Sequence, residues 1–180
     1  MPLVYITGIS GSGKSSVCAE LKRRGYVAYD TDKDSIAFFY HNDTNEPVVE
    51  RVASEDRTPE WRAAHTWKAK REDVERLAEE AKGKLIFLCG VTNNDADELW
   101  DLFDHVFALT LDEEGLRHRI SSRTGNDFGK NPHEFADLLR WQQTASEDYK
   151  KLGATLIDAT RPLNEVVDGI VQNYPDATAV

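Results

Sequence analysis

Residues Tyr5–Ser16 read YITGISGSGKSS, and the fold is decided by what this stretch is for. Gly8-Ile9-Ser10-Gly11-Ser12-Gly13-Lys14-Ser15 matches the phosphate-loop pattern G-x-x-x-x-G-K-[ST]. Such a loop wraps backbone N–H groups around a phosphate. Its glycines reach positive φ and carry no side chain to block the approach. A helix starting at Lys14 points its positive end at the same anion. Lys14 can then reach the β- and γ-phosphates of a nucleotide, and the Ser15 hydroxyl can ligate Mg²⁺. Gly8, Ser10, Gly11, Ser12, Gly13 and Ser16 complete the expected phosphate cradle. A plain Gly/Ser turn would explain the glycines but not the lysine among them.

Outward from the loop, five short apolar runs read as strands: Leu3–Thr7, Tyr26–Tyr29, Lys84–Leu88, His105–Leu111 and Ala154–Ile157. Most are near-continuous, as in strands covered on both faces. Helix-length segments lie between them. Lys14–Arg24 stops at Gly25, Trp61–Lys82 at Gly83, and Glu134–Leu152 at Gly153. Glu113–Ser122 and Leu163–Val171 are further helices, the last opening behind Pro162. Alternating strands and helices imply right-handed βαβ units and a parallel sheet, an α/β fold. With no repeat and no long linker, residues 1–175 read as one domain and 176–180 as a flexible tail. Two segments break the pattern. His41–Arg57 is polar and irregular, and Arg123–Pro132 (RTGNDFGKNP) is a Gly/Asn-rich loop; both fall where such a sheet places lids.

The 180 residues are 40% apolar and 30% charged, enough for a substantial core. The apolar runs are far shorter than a membrane span, and no basic-then-apolar leader precedes the first strand. Cys18 and Cys89 sit in apolar contexts and read as buried, reduced thiols in a cytoplasmic protein. A net charge of −10 argues against general nucleic-acid binding. It leaves room for a small anionic ligand, because local arginines can reverse the field inside one cleft.

A phosphate loop alone names no reaction. The chain contains no Asn-Lys pair for a GTPase base reader. Asp112-Glu113-Glu114-Gly115 matches a D-x-x-G switch only formally, since it follows the fourth strand. The second strand ends YDTDKD, with Asp30, Asp32 and Asp34. Strand carboxyl ends are where doubly wound sheets build sites. Carboxylates there can hold a Mg²⁺ water shell and accept a proton from a substrate hydroxyl. The competing reading, strongest for Asp34, is a cap on a helix through Ile36–Tyr40. No Asp directly follows the third apolar run, so Asp30 is the expected metal-side carboxylate.

With GISGSGKSS, the strand-end DTD and the loop RTGNDFGK, the sequence resembles the shikimate kinase and nucleoside-monophosphate kinase (adenylate kinase-like) group of P-loop kinases. The resemblance implies a five-stranded parallel sheet in order 2-3-1-4-5 flanked by helices. It also implies a helical substrate-binding segment over 41–82, a short lid over 119–132, and ATP with Mg²⁺ as cofactors. Lys14 and Ser15 then take the phosphate and Mg²⁺, Asp30 orients the metal's water shell, and Asp32 touches the acceptor hydroxyl. Arg123 would stack on adenine. Lys130, where shikimate kinases carry an arginine seven positions after the first, would close over the transferring phosphoryl group. Arg119 joins Arg123 on the nucleotide side, although i,i+4 spacing also suits a solvated helix face. IDATRP resembles the family's adenine loop, placing Arg161 and Pro162 near the base; Pro162 equally suits a helix start. Arg57 matches an arginine that binds substrate anions. With Trp61, Arg62, His65 and Trp67 it suggests an acceptor with a planar or sugar part, which can itself be anionic. Packing of the lid helix is the other reading of the tryptophans. Where shikimate kinases have a glycine run, this chain has Cys89-Gly90-Val91-Thr92-Asn93-Asn94. Gly90 and Asn93 are therefore acceptor-site candidates, although asparagines here also suit a turn.

The function implied is an ATP- and Mg²⁺-dependent phosphotransferase acting on a hydroxyl or phosphate of a small molecule, as a monomer or weak homodimer. The alternative is a nucleotide-binding regulator or nucleoside-triphosphate hydrolase with no small-molecule acceptor. The missing carboxylate after the third strand and Lys130 in place of arginine favour that alternative.

Overall fold

The structure, a computed structural model, describes residues 2–50, 52–124 and 127–174. The first strand, β1 (Leu3–Thr7), is wholly buried. Val4 and Ile6 face one side of the sheet, Leu3 and Tyr5 the other. After it come α1 (Lys14–Arg23), β2 (Val27–Asp30), β3 (Ala37–His41), α2 (Pro59–Ala64), β4 (His65–Ala69), α3 (Arg71–Ala81) and β5 (Ile86–Cys89). Then follow β6 (His105–Thr110), α4 (Glu113–Ser122), α5 (Pro132–Lys151), β7 (Thr155–Asp158) and α6 (Leu163–Val171).

Five strands form a parallel sheet in the order β2-β5-β1-β6-β7. Counted among the sheet's own strands this is 2-3-1-4-5, as expected. Parallel neighbours need crossover connections, so both faces are covered. On one face α1 and α6 lay Val17, Leu21, Val166 and Ile170 over Val4, Ile6, Phe87 and Phe107. On the other, Val74 and Ala81 of α3 join Leu99 against Tyr5, Ile86 and Leu88. Cys18 and Cys89 are free and buried. No helix among the described residues is long and apolar enough to cross a membrane.

Two expected helices are corrected. In place of one helix over Trp61–Lys82, α2 ends at Ala64, β4 follows, and α3 begins at Arg71. In place of a helix through Ile36–Tyr40, the chain forms β3. The two strands pair as an antiparallel hairpin in the register Ala37↔Ala69, Phe39↔Trp67 and His41↔His65. Phe38, Phe39 and Tyr40 in β3, and Thr66 and Trp67 in β4, favour a pleated surface. Ser35, at φ 56, turns the chain out of the preceding turn and into β3. Asn42 fixes the break between α2 and β4. Its backbone N–H donates to Ala64 O, its Nδ2 to Ala63 O, and its Oδ1 accepts from Thr66 Oγ1.

The helix starts also differ. Asp112 and Asn131 cap α4 and α5 by accepting backbone N–H bonds from Gly115 and Glu134. At α1 the cap position is Gly13, with no side-chain acceptor. The first turn of α1 therefore presents its N–H groups to whatever the loop binds.

Candidate nucleotide and acceptor site

The loop between β1 and α1 depends on glycine at two close approaches. Gly8 has φ 138, and a Cβ there would sit 2.6 Å from Leu109 O. Gly13 has φ 104, and its Cβ would sit 3.0 Å from Arg119 Nη1. Ser12 N donates to Ile9 O at 3.1 Å and closes the turn. Lys14 bends back into it: Nζ donates to Gly8 O (2.6 Å) and Ile9 O (3.0 Å). Burial there lowers the lysine's pKa to about 8, against the pull of Asp32. Arg123 adds to the lowering, while Asp95 and Asp30 oppose it. Ser12 is fully buried, and its hydroxyl has no hydrogen-bond partner among the described residues. Ser15 and Ser16 are exposed at the mouth, and Ser10 Oγ lies 3.2 Å from Arg123 Nη1, which donates to it.

The three strand-end aspartates separate by environment. Asp30 is 3% exposed; its Oδ1 accepts from the backbone N–H of Asp32 (3.1 Å) and Lys33 (3.2 Å), while Oδ2 has no partner among the described residues. Asp34 faces away, accepting from Asp30 N (2.7 Å) and Lys22 Nζ (3.0 Å), which ties the turn to α1. Asp32 is exposed, yet desolvation still raises its pKa; the Thr31 hydroxyl bond (2.9 Å) and Lys14 pull it back down.

A fourth carboxylate, Asp95, escaped the sequence reading. It opens a π-helical turn, Asp95–Leu99, six residues past Cys89, and is 6% exposed. Its Oδ2 accepts from Tyr5 Oη (2.7 Å) and Thr92 N (3.1 Å), and its Oδ1 from Thr92 Oγ1. Burial raises its pKa, with the Thr92 and Tyr5 bonds opposing. The only signal was the polar run TNND ahead of Leu99, which also reads as a turn. Tyr149 of α5 lies nearby, its hydroxyl 3.5 Å from Thr7 Oγ1 and bonded to the Gly8 backbone; burial pushes its pKa to about 12.

On the nucleotide side, Arg119 is no solvated helix residue. It donates to Ser12 O (2.7 Å) and to Ala159 O, clamping the loop to the β7–α6 connection. Arg123 donates to Phe128 O and Ser10 Oγ; its buried Nε has no partner among the described residues, and desolvation lowers its pKa. Arg161 is exposed and pairs with Glu165 at 2.7 Å, and Pro162 caps α6. Lys130 is exposed on the rim of a shallow hollow of about 700 Å³, lined also by Arg117, His118 and Phe135. Gly125 of the RTG run and the tail expected at 176–180 lie outside the described residues.

On the acceptor side, Arg57 Nε donates to Glu134 Oε1 (3.0 Å) and Nη2 to Asp127 Oδ1 (3.2 Å). Arg62 pairs with Asp137. Both guanidinium groups lie over the Phe128 ring, at 5.6 and 5.9 Å. Trp61 stacks on His65 (4.0 Å) and meets Phe39 edge-on (4.8 Å). Trp67 Nε1 donates to Val91 O (3.1 Å). Asn93 and Asn94 act as strand mimics. Asn93 accepts from Trp67 N through Oδ1 (3.2 Å) and donates its own N–H to Trp67 O (2.8 Å). Asn94 exchanges side-chain bonds with both the N–H (3.3 Å) and the carbonyl (2.9 Å) of Ala69. Together they dock the hairpin onto the end of β5. Gly90 is required where β2 and β5 close: a Cβ there would collide with the Thr31 side chain.

A parallel sheet in this order, with a phosphate loop after its first strand and α1 opening uncapped, has the fold of the P-loop small-molecule kinases. Solved structures share it at low identity. A shikimate kinase from Acinetobacter baumannii in complex with shikimate is 14% identical, with TM-score 0.58 over 97% of this chain and 96% of that one. A deoxyadenosine kinase from M. mycoides with bound dATP is 15% identical, with TM-score 0.56 over 96% and 98%. A gluconokinase from Sinorhizobium meliloti 1021 is 20% identical, with TM-score 0.54 over 98% and 93%. A family model for the AAA domain matches residues 4–141, and the chain belongs to that family. A search of curated proteins by sequence gave no match.

Proposed function

We propose that the chain is an ATP- and Mg²⁺-dependent phosphotransferase that acts on a hydroxyl or phosphate of a small-molecule acceptor. The observation that carries this reading is the Lys14 ammonium, folded against the Gly8 and Ile9 carbonyls at the uncapped start of α1. An anion entering the loop offers that ammonium a better partner than two carbonyls. Kinases among the structural neighbours support phosphotransfer as the chemistry.

The donor set suits Mg²⁺. This ion takes oxygen ligands, keeps several waters and is commonly held by one or two protein groups plus phosphates. The exposed Ser15 hydroxyl and the Oδ2 of buried Asp30, unpartnered among the described residues, would supply those two groups. When bound, Mg²⁺ would offset charge developing on the phosphate oxygens.

The chain's own residues do the positioning. Lys14 moves from the loop carbonyls to the phosphates, and the α1 amides hold the same oxyanions. Arg119 keeps the loop shape by holding Ser12 O. Asp32 accepts a hydrogen bond from the acceptor hydroxyl and aligns it. Arg123 and Lys130, on a lid over 119–132, close over the nucleotide and exclude water. Residues 41–82, with Arg57, Trp61, Arg62, Gly90 and Asn93, form or brace the acceptor wall of one domain over 1–175. Arg161 and Pro162 flank the base. The setting we propose is cytoplasmic, as a monomer or weak homodimer without nucleic-acid or membrane partners.

The test is ADP release by the Lys14→Ala variant across a panel of acceptors. Acceptor-stimulated release should vanish while circular dichroism stays unchanged. Full activity in the variant would overturn the proposal, and release independent of acceptor would point to a hydrolase.

A further inference from the structure

Resting on the phosphotransferase reading, in which the loop captures nucleotide phosphates, we infer that Phe128 is a positioning residue that couples the phosphate loop to the acceptor segment. Through it, a nucleotide bound at residues 8–15 steadies α2 before an acceptor arrives.

The carbonyl of Phe128 serves the nucleotide side. It accepts from Arg123 Nη2, while Arg123 Nη1 donates to Ser10 Oγ of the phosphate loop at 3.2 Å. One planar guanidinium thus bridges the two, which suits its fixed fork of donors. The same guanidinium lies within electrostatic reach of both Lys14 and Asp32. Its buried Nε has no partner among the described residues. A buried donor left unmet is costly, and a charged phosphate oxygen is a stronger acceptor than a hydroxyl or carbonyl. Phosphate on Nε leaves Nη2 on the Phe128 carbonyl. Bound nucleotide therefore anchors Arg123, and Arg123 anchors Phe128.

The ring of Phe128 serves the acceptor side. The guanidinium groups of Arg57 (5.6 Å) and Arg62 (5.9 Å) both lie over it, within cation–π range. The residues on either side of Phe128 grip the same segment. Asp127 Oδ1 accepts from Arg57 Nη2 at 3.2 Å. Gly129 N donates to Glu134 Oε2 at 2.7 Å, and Glu134 Oε1 accepts from Arg57 Nε at 3.0 Å. Arg62 belongs to α2, and its neighbour Trp61 stacks on His65 at the start of β4. Phe128 has little room to slip between its two sides. It packs against the cluster of Ile9, Leu116, Ile120 and Leu138, and Ile9 belongs to the phosphate loop itself. Gly129 follows at φ 87, where a Cβ would lie 2.5 Å from Leu138 Cδ1. In close-packed surroundings, stiffening of Phe128 is passed on to Arg57 and Arg62 instead of being absorbed.

The experiment is hydrogen–deuterium exchange on the full chain, with and without the Mg²⁺ complex of a non-hydrolysable ATP analogue at saturation. Two stretches are read, residues 8–18 around the loop and residues 57–64 through α2. In the wild type the analogue should slow exchange in both, by about threefold or more in 57–64. Phe128→Leu keeps an apolar side chain in the cluster and removes the ring. It should retain the slowing in 8–18 and lose about half or more of the slowing in 57–64. Phe128→Tyr, which restores a ring, should recover it. A residue that only held the fold together would change the free-state exchange of 57–64 and leave the ratio of free to bound rates unchanged. Arg62→Gln takes one guanidinium off the ring without altering Phe128, and should show the same partial loss. Slowing confined to 8–18 in the wild type, or an undiminished response of 57–64 in Phe128→Leu or Arg62→Gln, overturns the inference and leaves the phosphotransferase reading standing. No slowing in either stretch overturns both.

Discussion

At the scale of residues, Lys14 carries a pH signature. Its pKa of about 8 in the free protein reflects burial against two carbonyls. Phosphates favour the protonated ammonium, so the pKa rises on binding, and ATP affinity is fullest below 8 and falls as pH rises through it. Between pH 7 and 9 the dissociation constant should rise roughly tenfold. A constant that stays level over this range, measured by calorimetry, would refute the environment assigned to Lys14. Gly90 gives a stability test. Gly90→Ala pushes a methyl into Thr31 and should cost about 1–3 kcal/mol in urea unfolding, with Thr31→Ala relieving part of the loss. The phosphate loop was legible because its chemistry is local, eight consecutive residues with one purpose. The Arg119 clamp was not, because the Ala159 carbonyl it holds is forty residues away. Asp95 was hidden for a related reason: a π-helical turn, with no strong sequence signal, carries it back under Tyr5.

At the scale of elements, the main sheet was legible and the hairpin was not. Near-continuous apolar runs between helices specify parallel strands covered on both faces. The β3–β4 hairpin depends instead on two segments far apart in sequence, and on asparagines in a third that stand in for a strand. Helical spacing over 61–82 is genuine at both ends, in α2 and α3, and the middle yields to tertiary pairing. Asn94 is the joint. Asn94→Ala would take from the Ala69 N–H and carbonyl the side-chain partner they share. It should destabilise the protein by about 2–4 kcal/mol, since each buried polar group left unmet costs about 1–3 kcal/mol. A loss under about 0.5 kcal/mol in denaturant unfolding, the range of ordinary surface changes, would show that the asparagines do not dock the hairpin.

At the scale of the molecule, a buried ion pair joins the segment ahead of α2 to the start of α5. Arg57 and Glu134 lie 77 residues apart, and no local pattern announced them as partners. Arg57→Ala should destabilise the protein by about 3–5 kcal/mol by taking the guanidinium away from the buried Glu134 carboxylate, whereas removing both should cost less than the sum of the single changes. Additive losses in a double-mutant cycle would deny the pairing.

The central proposal, anion capture by the loop at residues 8–15, is tested most directly by titrating Mg·ATP calorimetrically into the wild-type protein and Lys14→Ala at pH 7. Saturable one-site binding to the wild type, weakened at least tenfold in a variant that stays folded, is the predicted result. Equal affinity in the two proteins, or no binding to either, would contradict it.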